Sequence, residues 1–535
     1  MPELTWVGKD KVKNHHHEVP FRLLKKEYRF DANEGLPENS TDNRIIHGDN
    51  LEALKSLLPE FEGKIKCIYI DPPYNTGNEG WVYNDNVNDP KIKAWLGAVV
   101  GKEGEDLTRH DKWLCMMYPR LKLLHKLLAN DGLILVSIDD AANYLLRLLM
   151  NEIFGASNHL GTIVWKKKTN GNNVGHIPSV HDYLICFAKK ESSVYIPGFP
   201  LSEEYLDKNY KNTDKDPRGR WTTQDLSANH KGPHFPIKNE KTGKIYLPPK
   251  GRYWVFNEKE VEKRIKDGRI IFGKTGNAGP VQKVFLKDKV PRKKAESWWD
   301  KHGMNSDGTE NLAQIFPEHI EGKIFDHSKP ATFITNILRF ASSGGDIILD
   351  SFAGTGTTAQ AVLELNKDEE SQRKFILVEM MDYAETITAE RVRRVINGYG
   401  EGDKKVPGLG GGFDYYTIGE PLFLEDQNLN ESVGIEAIRK YVAYSEKVEL
   451  NSPETISDVS PYSLGLKDDA LFVFYYEPNQ VTTLGKTFLS QLNVKALPEK
   501  PSSYVIYADK CTLEPSFMQK YGINFKRIPR DISRF

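Results

Sequence analysis

The chain has 535 residues, of which 39% are hydrophobic and 11% aromatic, so it can bury sizeable cores and does not have the composition of a disordered chain. No apolar stretch approaches the roughly 20 residues that a membrane span needs, and the N-terminal segment lacks the apolar core of a signal peptide. The four cysteines have no paired spacing. This argues against a disulfide framework and a thiolate zinc site, and it predicts a cytoplasmic protein.

The net charge of −1 conceals an uneven distribution of charge along the chain. Residues 201–300 hold 23 Lys and Arg against 14 Asp and Glu, whereas residues 401–500 hold 9 against 16. A near-neutral total therefore does not exclude a nucleic-acid partner, because the middle of the chain is basic.

Strands and helices alternate in the predicted elements near the start of the chain. Arg44–His47 reads as a strand, leucines recur at helical spacing over 51–58, and Lys66–Ile70 is a compact β-rich run. Two strands around one helix form the parallel βαβ unit.

The same pattern continues through residue 188. We predict a helix over 113–127, a buried strand over 133–138 and a helix over 141–154. Residues 162–165 and 183–188 then predict two strands that pair antiparallel.

From about residue 190 to 315 the helical periodicity weakens and turn dipeptides become frequent. Tyr246, Tyr253, Trp254 and Phe256 can supply an apolar core, which favours an inserted domain over a linker. A helix over 331–341, a strand over 346–349, a helix over 359–365 and a strand over 375–378 follow.

The predicted organisation is α/β, with five segments along the chain. They are an N-terminal arm over 1–40, a first α/β half over 41–190, an insert over 191–320, a second α/β half over 321–400 and a C-terminal α+β domain over 401–535.

The turn Asp350–Thr358 joins a strand to a helix and contains Gly354 and Gly356. Glycines at such a turn let a ligand approach the backbone, and the helix N-terminus offers free N–H groups. Glu379 ends the next strand, where it can accept both ribose hydroxyls of a nucleotide. Two ligands remain open from these residues: a dinucleotide or S-adenosylmethionine.

A second motif, Asp71-Pro72-Pro73-Tyr74, ends the strand over 66–70. Its two prolines stiffen the loop and remove two N–H donors. Asp71 and the Pro72 carbonyl can then accept both hydrogens of an exocyclic amino group, while Tyr74 offers a ring on which a base stacks. The alternative is a turn that merely contains two prolines.

With both motifs present, the chain resembles the amino-methylating DNA methyltransferases of the β arrangement, in which D-P-P-Y precedes the glycine turn. The resemblance implies a permuted Rossmann-like fold that binds S-adenosylmethionine and methylates N6 of an adenine flipped out of duplex DNA. Asp71, Pro72, Pro73 and Tyr74 are then the catalytic loop. N4-cytosine enzymes share this layout but more often begin the tetrapeptide with Ser.

The resemblance also implies residues that bind the cofactor. In the permuted order, Asp49 becomes the contact to the cofactor adenine, although it can equally cap the following helix. The carboxylate of the cofactor would be held by Lys329 or by the hydroxyls of Thr357 and Thr358. Lys329 lies in a segment similar to the one that, in this family, closes over the methionine end of the cofactor. The full predicted set is Asp49, Lys329, Asp350, Phe352, Gly354, Gly356, Thr357, Thr358 and Glu379.

The basic insert lies where this family keeps its target-recognition domain. Lys and Arg neutralise phosphates, and Arg reads guanine edges, whereas an ordinary solvated surface is the alternative for any single residue. The predicted DNA contacts are Arg218, Arg220, Arg252, Arg292 and Lys293. The polar loop 75–106, with Trp81 and Tyr83, is expected near the substrate.

Within the family, the chain is most similar to the modification (Mod) subunit of type III restriction–modification systems. The motifs Asn14–Pro20, Asp216–Trp221 and Gly411–Phe413 carry this resemblance, which implies a homodimer on double-stranded DNA and an ATP-dependent restriction (Res) subunit as partner. The resemblance assigns ATP-driven cleavage to that partner.

Four alternatives remain open. They are a solitary DNA methyltransferase, an N4-cytosine enzyme, an RNA or protein amide methyltransferase, and a non-enzymatic DNA-binding specificity subunit. No metal site is expected, because His47 and His15–His17 lack acidic or Cys partners at ligand spacing.

Overall fold

The structure is a computed structural model that describes residues 3–32, 42–74, 109–170, 176–273, 277–288, 292–319, 325, 328–450, 458–497 and 499–532. It contains two compact units, one formed by Met1–Ile196 together with Glu296–Phe535 and the other by Pro197–Ala295. In these ranges, no helix is both long enough and apolar enough to cross a membrane.

A ten-stranded mixed sheet forms the centre of the first unit. Its strands are β1 (Arg22–Asp31), β2 (Arg44–His47), β3 (Ile65–Ile70), β4 (Leu128–Ile138), β5 (His159–Lys166), β6 (His181–Ala188), β16 (Trp298–Trp299), β17 (Ile347–Asp350), β18 (Lys374–Glu379) and β21 (Gly412–Pro421). Their order across the sheet is β1-β21-β2-β18-β17-β3-β4-β6-β5-β16.

The strands from β21 to β4 all pair in parallel. Strand β18 lies beside β2, so the two halves of the α/β fold, which are far apart in sequence, form one continuous sheet. This confirms the permuted α/β fold expected from the sequence. The predicted antiparallel pairing of β5 with β6 is also confirmed.

The described helices of this unit include those that the leucine and aromatic stripes predicted. They are α1 (Lys9–Val12), α2 (His15–Glu18), α3 (Asn50–Phe61), α4 (Arg109–Leu127), α5 (Asn143–Met150), α8 (Asn305–Ile315), α9 (Ala331–Ala341), α10 (Thr357–Asp368), α11 (Glu390–Asn397), α12 (Ile435–Ser445), α13 (Lys486–Gln491) and α14 (Pro515–Lys520). Leu54 of α3, Trp113 of α4 and Ile68 of β3 share one apolar core, in which each is fully buried.

Strand β1 lies in a segment that the sequence analysis described only as an N-terminal arm. It pairs antiparallel with β21 over most of its length. Charged and apolar residues are mixed in this strand without strict alternation, so periodicity gives little signal there. The pairing partner is almost 400 residues away in sequence, and only the folded sheet reveals it.

Smaller sheets follow in the C-terminal part of the same unit. Strands β22 (Ser463–Lys467), β23 (Ala470–Phe474), β25 (Ser503–Ala508) and β27 (Ile523–Arg527) form a four-stranded sheet. Two further pairs join β19 (Gly398–Tyr399) to β20 (Val406–Pro407) and β24 (Thr483–Leu484) to β26 (Lys510–Cys511).

In its described residues, the second unit has short strands and two α-helices, α6 (Glu203–Asn209) and α7 (Glu258–Lys266). Its strands are β7 (Phe199–Pro200), β8 (Trp221–Asp225), β9 (Ser227–Ala228), β10 (Ile237–Lys238), β11 (Ile245–Tyr246), β12 (Tyr253–Trp254), β13 (Ile270–Ile271), β14 (Val281–Phe285) and β15 (Arg292–Lys293). Trp254 and Phe256 belong to its apolar core. The five-segment division of the chain stays a prediction.

Helix α8 packs closely on the backbone that leads into α9. A Cβ atom added at Gly308 would lie 2.1 Å from the carbonyl oxygen of Ser328 and 3.0 Å from the carbonyl carbon of Lys329. The glycine therefore sets how closely α8 approaches the segment around residue 329.

We predict that Gly308→Ala lowers the thermal midpoint and destabilises the chain by about 1–3 kcal/mol, since the methyl group meets backbone that cannot rotate away. This reverses the usual gain of Ala over Gly in a helix. Thr309→Ala, at an exposed neighbouring position, is the control and should change stability by less than about 0.5 kcal/mol. A Gly308→Ala variant as stable as the wild type would contradict this packing.

Candidate cofactor and catalytic site

The two sequence motifs meet at the carboxyl ends of adjacent strands. Strand β3 ends just before Asp71, and its neighbour β17 ends at Asp350. Chain connections leave this pair in opposite directions, because β17 is followed in the chain by β18 on one side and β3 is followed by β4 on the other. Ligands of open α/β sheets bind at such a topological switch point.

A cavity that is partly open to solvent lies at this point. Seven of the predicted site residues line it: Asp71, Lys329, Asp350, Phe352, Gly354, Thr357 and Thr358. The fold thus brings both motifs, 279 residues apart between their first aspartates, to one concave site.

The Asp71–Tyr74 loop is held by two side chains from elsewhere in the chain. The Lys329 ammonium donates to Asp71 Oδ2 at 2.6 Å and lies 4.9 Å from the centroid of the Tyr74 ring. The Trp113 indole N–H donates to the Pro73 carbonyl at 2.6 Å. Because Asp71 and Lys329 are both buried, their ion pair is shielded from solvent.

One acceptor in this loop remains open. Asp71 Oδ1 is buried and has no hydrogen-bond partner in the described part of the chain. Burial, together with the charge of Asp71, raises the pKa of Tyr74 well above its ordinary value, so its ring stays neutral. The loop therefore presents a carboxylate oxygen close to a neutral tyrosine.

The glycine turn is ordered by its own carboxylates. Asp350 Oδ1 accepts from the Phe352 N–H at 3.0 Å, and Asp350 Oδ2 accepts from the Thr358 hydroxyl. Glu379 Oε2 accepts from the Gly354 N–H at 2.8 Å. The turn is thus closed by one carboxylate from β17 and one from β18.

Gly356 has a left-handed backbone conformation, with φ of 79°, directly before α10. A Cβ atom there would lie 3.1 Å from the carbonyl oxygen of Thr388. Both the backbone angle and the close approach require glycine at this position.

The Asp49 carboxylate, at the end of β2, caps α3. Its Oδ1 accepts from the Leu51 N–H at 2.8 Å and from the Glu52 N–H at 3.1 Å. Helix capping was one of the two roles that the sequence left open for Asp49, the other being cofactor binding. The capping uses one carboxylate oxygen, Oδ1. A contact to the cofactor stays a prediction.

Burial dominates the electrostatics of Asp350. It raises the pKa of this carboxyl to about 7, with smaller contributions from the charges of Asp71 and Glu379 and opposition from the Thr358 hydrogen bond. Several carboxylates thus lie close together at the end of β17, a setting that favours a cationic ligand.

Sequence reasoning did not single out four residues of the site. Ser328 and Thr355 line the cavity, and the fully buried Arg391 donates to both of their hydroxyls. Asp182 is also buried, accepts from Lys167 at 2.6 Å and has a pKa raised by burial. Arg391 lies in a run rich in Glu and Arg, which resembles a solvated helix, so only its burial distinguishes it.

The predicted DNA contacts lie in the second unit, where three of them form ion pairs. Arg218 pairs with Asp216 and Asp267, Arg220 with Asp207, and Arg252 with Asp225. Arg292 and Lys293 form the exposed strand β15, and Arg292 donates to the Gly198 carbonyl at 3.3 Å. All five stay predictions as DNA contacts.

Some sequence expectations fall outside the described residues: the loop 75–106 with Trp81 and Tyr83, and residues 326–327 of the segment before Ser328. Among the residues that are described, no group of three or more His, Cys, Asp or Glu side chains is arranged to hold a metal ion.

The raised pKa of Asp350 predicts a pH-dependent contribution to stability. Between its ordinary value of 3.8 and about 7, the folded chain holds a proton that the unfolded chain releases, so this contribution is lost as the pH rises through 7. We measure the thermal midpoint of the wild type minus that of Asp350→Asn. We expect this difference to decrease as the pH is raised from 5 to 8.

Asp131→Asn is the matched control for this measurement. Asp131 is an exposed carboxyl whose pKa is lowered by its hydrogen bond with Lys66. The difference in thermal midpoint between Asp131→Asn and the wild type should therefore be constant from pH 5 to pH 8. A constant difference for Asp350→Asn as well would show that burial does not raise this pKa.

Comparison with known proteins agrees with this geometry. A family model described as DNA methylase, for N6 and N4 methyltransferases, matches residues 65–447. The StyLTI Mod subunit of a type III restriction-modification enzyme from Salmonella typhimurium is 32% identical over 394 residues, which cover 70% of this chain and 58% of the relative. The type II methyltransferase M.KpnI from Klebsiella pneumoniae is 30% identical over 380 residues, covering 67% of this chain and 85% of the relative.

A solved structure, the PvuII DNA methyltransferase described as cytosine-N4-specific, is 13% identical with a TM-score of 0.33 and covers 66% of this chain and 87% of that chain. The fold assignment rests instead on the strand order described above. The chain spans about three fifths of the length of the StyLTI Mod subunit. From the family match and the M.KpnI similarity, the chain belongs to the DNA methylase family of N6 and N4 methyltransferases.

Proposed function

We propose that the chain transfers a methyl group from S-adenosylmethionine to the N6 amino group of an adenine in double-stranded DNA, as the modification subunit of a type III restriction–modification system. The observation that carries this proposal is the open carboxylate oxygen of Asp71, a residue that lines the same cavity as the glycine turn.

The cavity suits the charge distribution of the proposed cofactor, which is cationic at sulfur and carries a carboxylate at its methionine end. Asp71 and Asp350 place carboxyl groups on the wall, and Ser328, Thr355 and Thr357 place hydroxyl groups there. When bound, S-adenosylmethionine supplies an electrophilic methyl group.

The residues of the loop would orient the acceptor amine. Asp71 Oδ1 accepts one N–H of the exocyclic amino group without breaking the ion pair that Lys329 makes through Oδ2. The Pro72 carbonyl accepts the second N–H, and the Tyr74 ring stacks on the base. With both hydrogens held, the nitrogen lone pair points away from the loop and toward the methyl donor.

An adenine inside a duplex cannot reach a buried loop, so the base has to leave the helix. Unstacking and unpairing cost a few kcal/mol, and stacking on Tyr74 together with the hydrogen bonds of Asp71 offsets this cost. Base flipping is thus part of the proposal.

The remaining parts of the proposal follow the similarity to Mod subunits. Relatives that carry the name of a type III Mod subunit match 70% of this chain. We infer a homodimer, a cytoplasmic location and a Res subunit as partner. The basic surface of the second unit would contact the DNA, with Arg292 and Lys293 on an exposed strand.

The chain incubated with radiolabelled S-adenosylmethionine and unmethylated bacterial genomic DNA should yield labelled N6-methyladenine, identified by mass spectrometry of the digested nucleosides. Labelled N4-methylcytosine would instead show that the acceptor is the N4 amino group of cytosine. Absence of transfer to DNA would refute the proposed activity.

Asp71→Asn should lower the transfer rate at least about 100-fold, because the amide replaces the open carboxylate oxygen with a group of lower charge. Binding of S-adenosylmethionine, measured by calorimetry, should weaken by much less than the transfer rate falls, because the glycine turn is unchanged. Asp131→Asn, which removes an exposed carboxylate paired with Lys66, is the control and should transfer at the wild-type rate. Full activity of Asp71→Asn would exclude the proposed role of the loop.

Light scattering should give twice the 60.9 kDa mass of the chain if it forms the proposed homodimer. A mass of one chain at micromolar concentration would contradict that part of the proposal and leave the methyl transfer intact.

A further inference from the structure

Strand β3 divides the large sheet into two flanks at the edge where the site lies. On one flank, β17 and β18 lead into the glycine turn and Glu379, the residues predicted to bind the cofactor. On the other flank, β4, β6 and β5 follow in that order. A methyl group moves in line from donor to acceptor, so the acceptor approaches from the side opposite the sulfur. With the cofactor on the first flank, the acceptor base lies over the second.

The register of β3 and β4 shows which side chains this second flank offers. Tyr69 pairs in parallel with Leu135, so Asp71 and Ser137, two residues further along each strand, share one face of the sheet. The Tyr69 hydroxyl lies 3.0 Å from Ser137 Oγ, in agreement with this. The face that carries Asp71 therefore continues onto β4.

The same face continues onto β6 and β5. Ser137 lies opposite Leu184 of β6, and Asp182, two residues away, belongs to the same face. Asp182 lies opposite Trp165 of β5, which places Lys167 on this face as well. Lys167 Nζ donates to Asp182 Oδ1 at 2.6 Å. The row of side chains that starts at the catalytic loop thus ends in a lysine–aspartate pair.

The charges along this row alternate in sign. Asp71 pairs with Lys329, and Asp182 pairs with Lys167. Burial raises the pKa of Asp182, and the charges of Lys167 and Lys329 oppose this shift, so both lysines act on the same carboxylate. Burial also raises the pKa of Tyr74, with further contributions from the charges of Asp71 and Asp182. Asp182 therefore lies within electrostatic reach of the tyrosine that is proposed to stack on the base.

The two members of the pair differ in how accessible they are. The Asp182 side chain is 3% exposed and that of Lys167 is 19% exposed. The Lys167 backbone is fixed on both sides, because its N–H donates to the Val180 carbonyl at 3.0 Å and its carbonyl accepts from the Asn305 N–H at 2.9 Å. An ammonium has three donors. The pair thus combines a buried carboxylate with a partly accessible cation that keeps donors for a ligand.

We propose that Lys167 donates a hydrogen bond to a ring nitrogen of the acceptor adenine, and that Asp182 is the positioning residue that orients Lys167. This rests on the proposed function for the identity of the base. The ring nitrogens N1 and N7 flank the amino group and accept hydrogen bonds. An adenine whose amino group is held by Asp71 and whose ring lies over the second flank directs one of these nitrogens toward β6.

The test uses duplexes in which the target adenine is replaced by 1-deazaadenine or 7-deazaadenine, where a C–H group takes the place of one ring nitrogen. The target site is first located by sequencing genomic DNA that the chain has methylated. On adenine, Lys167→Met should lower kcat/KM by about 10- to 100-fold, the range for a lost charge-assisted hydrogen bond. On the analogue that lacks the contacted nitrogen, the same substitution should change kcat/KM less than about twofold. Comparing each variant with the wild type on the same base cancels the difference in amine reactivity between the bases.

Further variants separate binding of the base from stability. Lys167→Arg keeps the charge and should recover part of the activity on adenine. Asp182→Asn should show the same dependence on the base as Lys167→Met. The double variant Lys167→Met with Asp182→Asn leaves neither charge of the pair without its partner, so it serves if a single variant does not fold. Lys166→Met is the matched control, because Lys166 lies opposite His181 on the other face of β5, and it should leave all ratios unchanged.

An equal loss on adenine and on both analogues would indicate a phosphate contact or a structural role and would overturn the inference, as would unchanged kcat/KM in Lys167→Met. A loss in Asp182→Asn without one in Lys167→Met would show that Asp182 acts through Lys329 instead, which also overturns it. A wild type that transfers no methyl group to DNA would refute the proposed function and the inference together. Normal methylation of adenine by the wild type, with no dependence of the variants on the base, would refute the inference alone.

Discussion

The parallel pairing of β3 with β17 is the constraint on which the site depends. Cys67 and Ile68 lie opposite Ile348 and Leu349, so two strands separated by about 280 residues end side by side. Parallel strands present their carboxyl ends at the same edge of a sheet. Once this register is set, Asp71 and Asp350 have to lie at the same edge of the sheet, and the cavity forms between the turns that follow them.

The interior of the site contains buried carboxylates and two buried cations, Lys329 and Arg391, which contact different groups. Lys329 neutralises Asp71 through one oxygen and leaves the other open. Arg391 lies behind the hydroxyls of the glycine turn. In a low-dielectric interior these charges act strongly over short distances, so the distribution of charge, in addition to the shape of the cavity, determines which ligand is favoured.

The second unit shows how a basic composition differs from a basic surface. Of the arginines predicted as DNA contacts, Arg218, Arg220 and Arg252 pair with aspartates of the same unit, and Arg218 also lies 4.4 Å from the centroid of the Phe285 ring. Such pairs stabilise a small unit that has a modest apolar core. The excess of Lys and Arg over residues 201–300 is therefore shared between internal structure and the surface available to phosphates.

The sequence by itself determined the α/β class, the alternation of elements around the two motifs and the residues of both turns, because these depend on local signals: strand periodicity, glycine at left-handed positions and proline at a strand end. It did not reveal the pairing of β1 with β21, the ion pair of Asp71 with Lys329, or the burial of Arg391. Those are contacts between distant segments or consequences of burial, and a charged residue in a chain looks the same whether it faces water or the interior. Only the tertiary structure decides which charges are solvated and which are held in the dry interior.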